Sequence, residues 1–145
     1  MCILLHKIAP HLYHTTRVIL DRPKDMLSYR SKLRSLIVKK NSLTGRVDNH
    51  HVIPQQFRNH NVLSKCDFDI NCSSNIVLLP NKSGIPIAPN LKVHTGGHRK
   101  YNRYVLNGLN DMSNLSGDEL RYIFWLFIHH LKNNIQQSEE TIPWN

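Results

Sequence analysis

Residues 48–57 read "DNHHVIPQQF". Two histidines stand side by side, followed by a short apolar piece and a proline. "HVIP" is strand-like, and Pro54 ends it or sits at its edge, because proline cannot donate to a ladder. Successive side chains on a strand face opposite sides. His50 and His51 therefore point apart, and their adjacency suggests two different tasks. One imidazole can bind an ion while the other faces a substrate.

The stretch that completes this reading lies downstream, in "VHTGGHRKY", residues 93–101. His94 and His98 are four apart, which on a helix or its lead-in places both on one side. Two imidazoles on one turn can hold one divalent cation. Gly96 and Gly97 bring no Cβ and allow close approach. His50 would complete a three-histidine site with His94 and His98, leaving positions on the ion open, as catalysis requires. His51, titrating near neutrality, would take a proton from water. Arg99, Lys100 and Arg103 lie beside the same segment and are suited to hold phosphates. Together these parts fit phosphodiester hydrolysis.

Adjacency alone does not make a site. The ten histidines include a second adjacent pair, His129 and His130, in an apolar helix. That pair reads as partly solvated polar residues near a helix end. Cys66 and Cys72 could join two histidines in a zinc site, although their spacing is unusual for one. The only other cysteine is Cys2, so no disulfide framework exists, and reduced thiols fit best, with a Cys66–Cys72 bridge as the alternative.

The chain has 145 residues, which suits one domain with its own core. Its formal charge is +9, from 19 basic and 10 acidic residues, and the excess is concentrated in two places. Eight basic residues and one acid lie between Arg22 and Arg46, and four basic residues with no acid between Leu91 and Val105. Such a surface attracts polyanions, nucleic acid foremost. "YIFWLFI" is too short to span a bilayer, and no signal peptide is expected in the opening residues, which lack a clean charged start and small-residue exit. No phosphate-binding glycine loop and no nucleophile elbow is present, which removes support for nucleotide-driven or ester chemistry.

The elements follow from periodicity. "RPKDMLSYRSKLRSLIVKK", residues 22–40, reads as a helix with Pro23 in its first turn. Met26, Leu33, Leu36 and Ile37 form its apolar stripe. "NIVLLP", residues 75–80, is a second strand, and residues 81–90 are a loop broken by Gly84, Pro86 and Pro89. "GGHRKYNRYVLNGL" reads as a helix with Tyr101, Val105 and Leu109 on one side. The last helix starts at a capping box of Ser116 and Glu119. The fold class is α+β, with helices around a small pair of strands.

The order "DNHHVIP", "SSNIVLLP", "HTGGHRKYNRYV" resembles the HNH/endonuclease VII superfamily, the His-Me finger nucleases. Within it, the order resembles the toxin-type group named for an Ala-His-His motif. The resemblance covers about residues 46–106 and departs at the first motif position, which is Asn49. It implies a mainly helical single nuclease domain, residues 1–145, around a ββα-metal core. It implies His50 as metal ligand and His51 as general base. Asn75 matches the middle asparagine, whose role is to brace the active-site loop. His94 and His98 match the helix-side histidines, and the division between ligand and phosphate contact stays open between them. Tyr101, Asn102 and Val105 would position the helix.

The activity implied is that of a metal-dependent endonuclease of low sequence specificity. DNA is favoured over RNA, and the cofactor is one divalent ion: zinc, magnesium, manganese or nickel. The resemblance further implies a cytoplasmic site of action and a cognate immunity protein, the chain being a delivered toxin module, a free-standing nuclease or a phage-like or mobile-element protein; no membrane partner is expected. The competing readings are a non-enzymatic nucleic-acid-binding module with a structural metal, an RNase using the same residues, and a metal-free interaction protein.

Overall fold

The computed structural model describes residues 27–86, 90–94, 96–137 and 142–144. Pro23 and Met26, expected in the first helix, lie outside the described residues. Within them that helix, α1, is shorter than its pattern and runs Lys32–Lys40. Ser31 starts it, its hydroxyl accepting from Arg34 N–H at 3.2 Å, the ordinary device for satisfying a first-turn donor. The expected apolar stripe is a further correction: Leu33, Leu36 and Ile37 are exposed, and the buried residue of α1 is Arg34. Its guanidinium donates to Leu27 O at 2.9 and 2.5 Å, which lets a charged residue pack inward.

Strands β1 (Val47–His51) and β2 (Ile76–Pro80) pair antiparallel, with His50 opposite Val77 and His51 opposite Ile76. The strand read at "HVIP" therefore sits earlier in the chain. Val52 and Ile53 leave the ladder and drop into the core, fully buried. Val52 N–H donates to Asn75 O at 2.7 Å, and the Asn75 side chain takes over at Ile53. A buried backbone must find partners somewhere, and here a side chain supplies them.

Between the strands lie short 3-10 turns and the one-turn helix α2 (Asn61–Lys65). The His60 ring caps α2, its Nδ1 accepting from Val62 N–H, while Nε2 meets Asn110 Oδ1 at 3.1 Å. This histidine is structural.

Helix α3 (Arg99–Asp111) buries Tyr101, Val105 and Leu109, the face expected from spacing. Helix α4 (Gly117–Gln137) lines the core with Leu120, Phe124, Ile128, Leu131 and Ile135. The Ser116–Glu119 capping box does not form. Gly117 opens the helix at φ +58, and Ser116 contributes its carbonyl, accepting from Leu120 N–H at 3.3 Å. His129 and His130 are exposed near the far end of α4, as read from the sequence. Among the described residues the architecture is α+β: one antiparallel strand pair set among helices, consistent with a ββα-metal core within a mainly helical domain.

Candidate metal centre

His50 lies on the buried face of β1, 7% exposed. His94 follows the loop after β2, held to that strand by its own N–H, which donates to Pro80 O at 2.8 Å. His98 is the residue that begins α3, 4% exposed, and its side chain makes no capping bond. One strand, one loop and one helix start thus deliver three imidazoles to one place. Their donor nitrogens all lie within 4.8 Å of one another. Ring centroids are 5.3 Å apart for His50–His94, 5.5 Å for His50–His98 and 5.8 Å for His94–His98.

The chemistry of this set fits a divalent cation. His50 Nε2 is buried with no hydrogen-bond partner among the described residues. An orphaned buried nitrogen is costly unless something else uses its lone pair. Burial, together with the neighbouring His94, His98 and His51, pushes the His50 pKa down from 6.5 to about 3. The ring is therefore neutral near pH 7, the form that ligates a metal. His94 is oriented by a carboxylate, with Nδ1 3.4 Å from Asp48 Oδ2. With Nδ1 turned to the carboxylate, Nε2 is the nitrogen available to an ion, the arrangement common for metal-binding histidines.

His51 faces the other side of β1. Its Nε2 lies 3.1 Å from Asn71 Oδ1. A carbonyl oxygen only accepts, so this contact, the shorter of two at Nε2, favours the tautomer with hydrogen on Nε2 and a lone pair on Nδ1. The Gln55 amide nitrogen lies 3.3 Å from the same atom and can only donate, so in this tautomer it turns to Asn71 Oδ1, at 3.5 Å, instead. The Tyr29 ring packs against His51 with centroids 4.5 Å apart. Half-burial lowers the His51 pKa, while the bond to Asn71 acts in the opposite direction.

Asn75 is fully buried and reaches neither solvent nor the cluster. Its Oδ1 accepts from Ile53 N–H at 2.6 Å, and its Nδ2 donates to Ile53 O at 3.1 Å and Ile70 O at 2.8 Å. The Tyr101 hydroxyl donates to Val52 O at 2.6 Å. These two side chains pin the turn that follows the histidine pair. Arg99, Lys100 and Arg103 are exposed along α3.

A family described as nucleases of the HNH/ENDO VII superfamily with conserved AHH matches this chain over residues 39–121. The chain belongs to this AHH nuclease family. Neither the curated proteins nor the solved structures contain a match to it. The AHH match takes in both strands, all three clustered histidines and α3, reaching beyond the 46–106 span of the motif on each side. Family and cluster together make the protein a metal-dependent nuclease, a hydrolase acting on nucleic acid, with a site able to hold one divalent ion. No helix among the described residues is long and apolar enough to cross a membrane.

The structure brings His50, His94 and His98 together and sets His51 apart from them. Five neighbours escaped the sequence reading: Asp48, Gln55, Asn71, Tyr29 and Trp144. Only Asp48 had a usable signal, since period-two alternation puts it on the face of His50. The cysteine alternative fails. Cys66 and Cys72 are free thiols, burial raises the Cys66 thiol to about 11, and neither belongs to a metal-competent cluster among the described residues.

Proposed function

We propose that this AHH nuclease is a single-domain endonuclease cutting DNA with little sequence specificity. His51 acts as general base, and His50, His94 and His98 hold one divalent cation. The observation that carries this reading is the divergence of the histidine pair. His50 turns into a buried cluster with two further imidazoles, while His51 turns away to the Asn71 side-chain amide.

His51 Nδ1, with its lone pair free in the tautomer that Asn71 favours, takes the proton from water as water attacks phosphorus. The depressed pKa keeps the ring unprotonated and ready near neutrality. When bound, the cation supplies electrophilic stabilisation of the scissile phosphate and the departing oxygen. Asn75 acts as a brace, keeping the turn after His51 fixed. Arg99, Lys100 and Arg103 hold flanking phosphates, contacts that position a duplex without reading bases. As a toxin module the protein would act in the cytoplasm of a target cell, with an inhibitory partner protein in the producing cell.

Supercoiled plasmid tests this directly. Wild type should nick and linearise it, EDTA should stop cutting, and one of Mg²⁺, Mn²⁺, Zn²⁺ or Ni²⁺ should restore it. His51→Ala should bind the ion and DNA yet cut about 10²–10⁴-fold more slowly, the usual contribution of a positioned base. Undiminished cutting by His51→Ala would reject the assignment. Cleavage of structured RNA and not of plasmid would move the substrate to RNA.

A further inference from the structure

The three histidines are not equally enclosed. His94 is partly open, whereas His50 and His98 are buried, and part of their cover comes from a segment remote in sequence. Ile142 is 2% exposed in the core and anchors that segment. Two residues later the Trp144 indole lies against the His98 ring, centroids 4.0 Å apart and planes inclined by 35°. It also reaches His50 at 5.1 Å and Tyr101 at 5.3 Å. Lys92 Nζ sits over the indole at 5.6 Å, within cation–π range.

We propose that Trp144 is a positioning residue for the cation, walling the inner side of the three-histidine centre. The proposal rests on the reading of His50, His94 and His98 as the cation site. An imidazole rotates freely about two bonds unless its surroundings fix it, and ligands held in advance cost less to order on binding. The indole presses on the two buried rings and makes no such contact with His94. It therefore holds His98 and His50 in place and excludes water from their side. His94 is the more exposed of the three rings, so the cluster stays open to an incoming phosphate on its side. An apolar wall around a metal site also governs solvent access and the local dielectric.

The chain has two tryptophans, Trp125 and Trp144, so each can be observed alone. In Trp125→Phe, Co²⁺ or Ni²⁺ should quench the remaining emission saturably, and a further His50→Asn change should remove the effect. In Trp144→Phe, which retains Trp125, the ion should leave emission unchanged. By calorimetry, Trp144→Ala should bind either ion about 10–100-fold more weakly than wild type. Trp144→Phe should recover most of that loss, since an aromatic wall is restored.

Wild-type affinity in a folded Trp144→Ala protein would overturn the proposal and leave the cation site standing. So would saturable binding to Trp125→Phe with no change in emission, a result that does not depend on Trp144→Ala folding. Absence of ion binding by the wild type would overturn both the proposal and the cation reading beneath it.

Discussion

Asp48 stands two residues before His50 and faces the same side of β1, and its carboxylate meets His94 Nδ1 at 3.4 Å. Without it His94 loses the partner that fixes its tautomer and its ring direction. Asp48→Ala should weaken divalent-cation affinity about tenfold, the low end of the usual range for such partners, because this carboxylate is half exposed. Competition with a chromophoric chelator would measure it. The adjacent histidines show how one residue step separates two jobs. His50 is buried and strongly depressed in pKa, whereas His51 is half-buried and less perturbed. The first is suited to bind an ion and the second to exchange a proton.

Among the elements, the turn after β1 carries the most consequence. Three bonds from Asn75 and one from Tyr101 replace the ladder that ends at His51. Asn75→Ala would strand the Ile53 N–H and two carbonyls in the core. Unpaired buried groups cost about 1–3 kcal/mol each, partly relieved by relaxation. The urea midpoint should correspond to a loss of about 3 kcal/mol, and cutting should fall with it as the histidine pair loses its frame. Helix α3 was legible because Tyr101, Val105 and Leu109 repeat at helical spacing and all face the core. Helix α1 was less so. Its leucine stripe follows the same rule, yet in the fold it is exposed, because the inward position is taken by Arg34 through bonds to Leu27 O. Periodicity reports an amphipathic face and does not say what covers it.

At the scale of the molecule, buried neutral histidines tie stability to pH. His50 titrates at 6.5 when unfolded and at about 3 when folded. Below pH 6.5 the unfolded chain binds a proton that the metal-free folded protein refuses. Stability is therefore intact above that pH and lost as pH falls towards 3, by about 1.4 kcal/mol per unit. Half-burial lowers His51 in the same direction, which steepens the slope. Urea titrations of chelated protein between pH 7 and 4 should show the decline, and His50→Asn should flatten it. A midpoint independent of pH would contradict the buried, neutral His50.

The sequence by itself determined the parts: a histidine pair split by strand alternation, a second pair four residues apart, a helix with one apolar face, and an excess of positive charge. Each is a local pattern, fixed by the geometry of the backbone over a few residues. The meeting of His50 with His94 and His98 was already legible in those parts, and only the tertiary structure decided what surrounds and orients them. The Asn71 amide that orients His51 lies 20 residues further on, in a loop with no periodic mark. Trp144 reaches His98 from seven residues beyond the end of the last helix. Such contacts follow from strand register and helix docking, which depend on the whole core, so no short stretch of sequence records them.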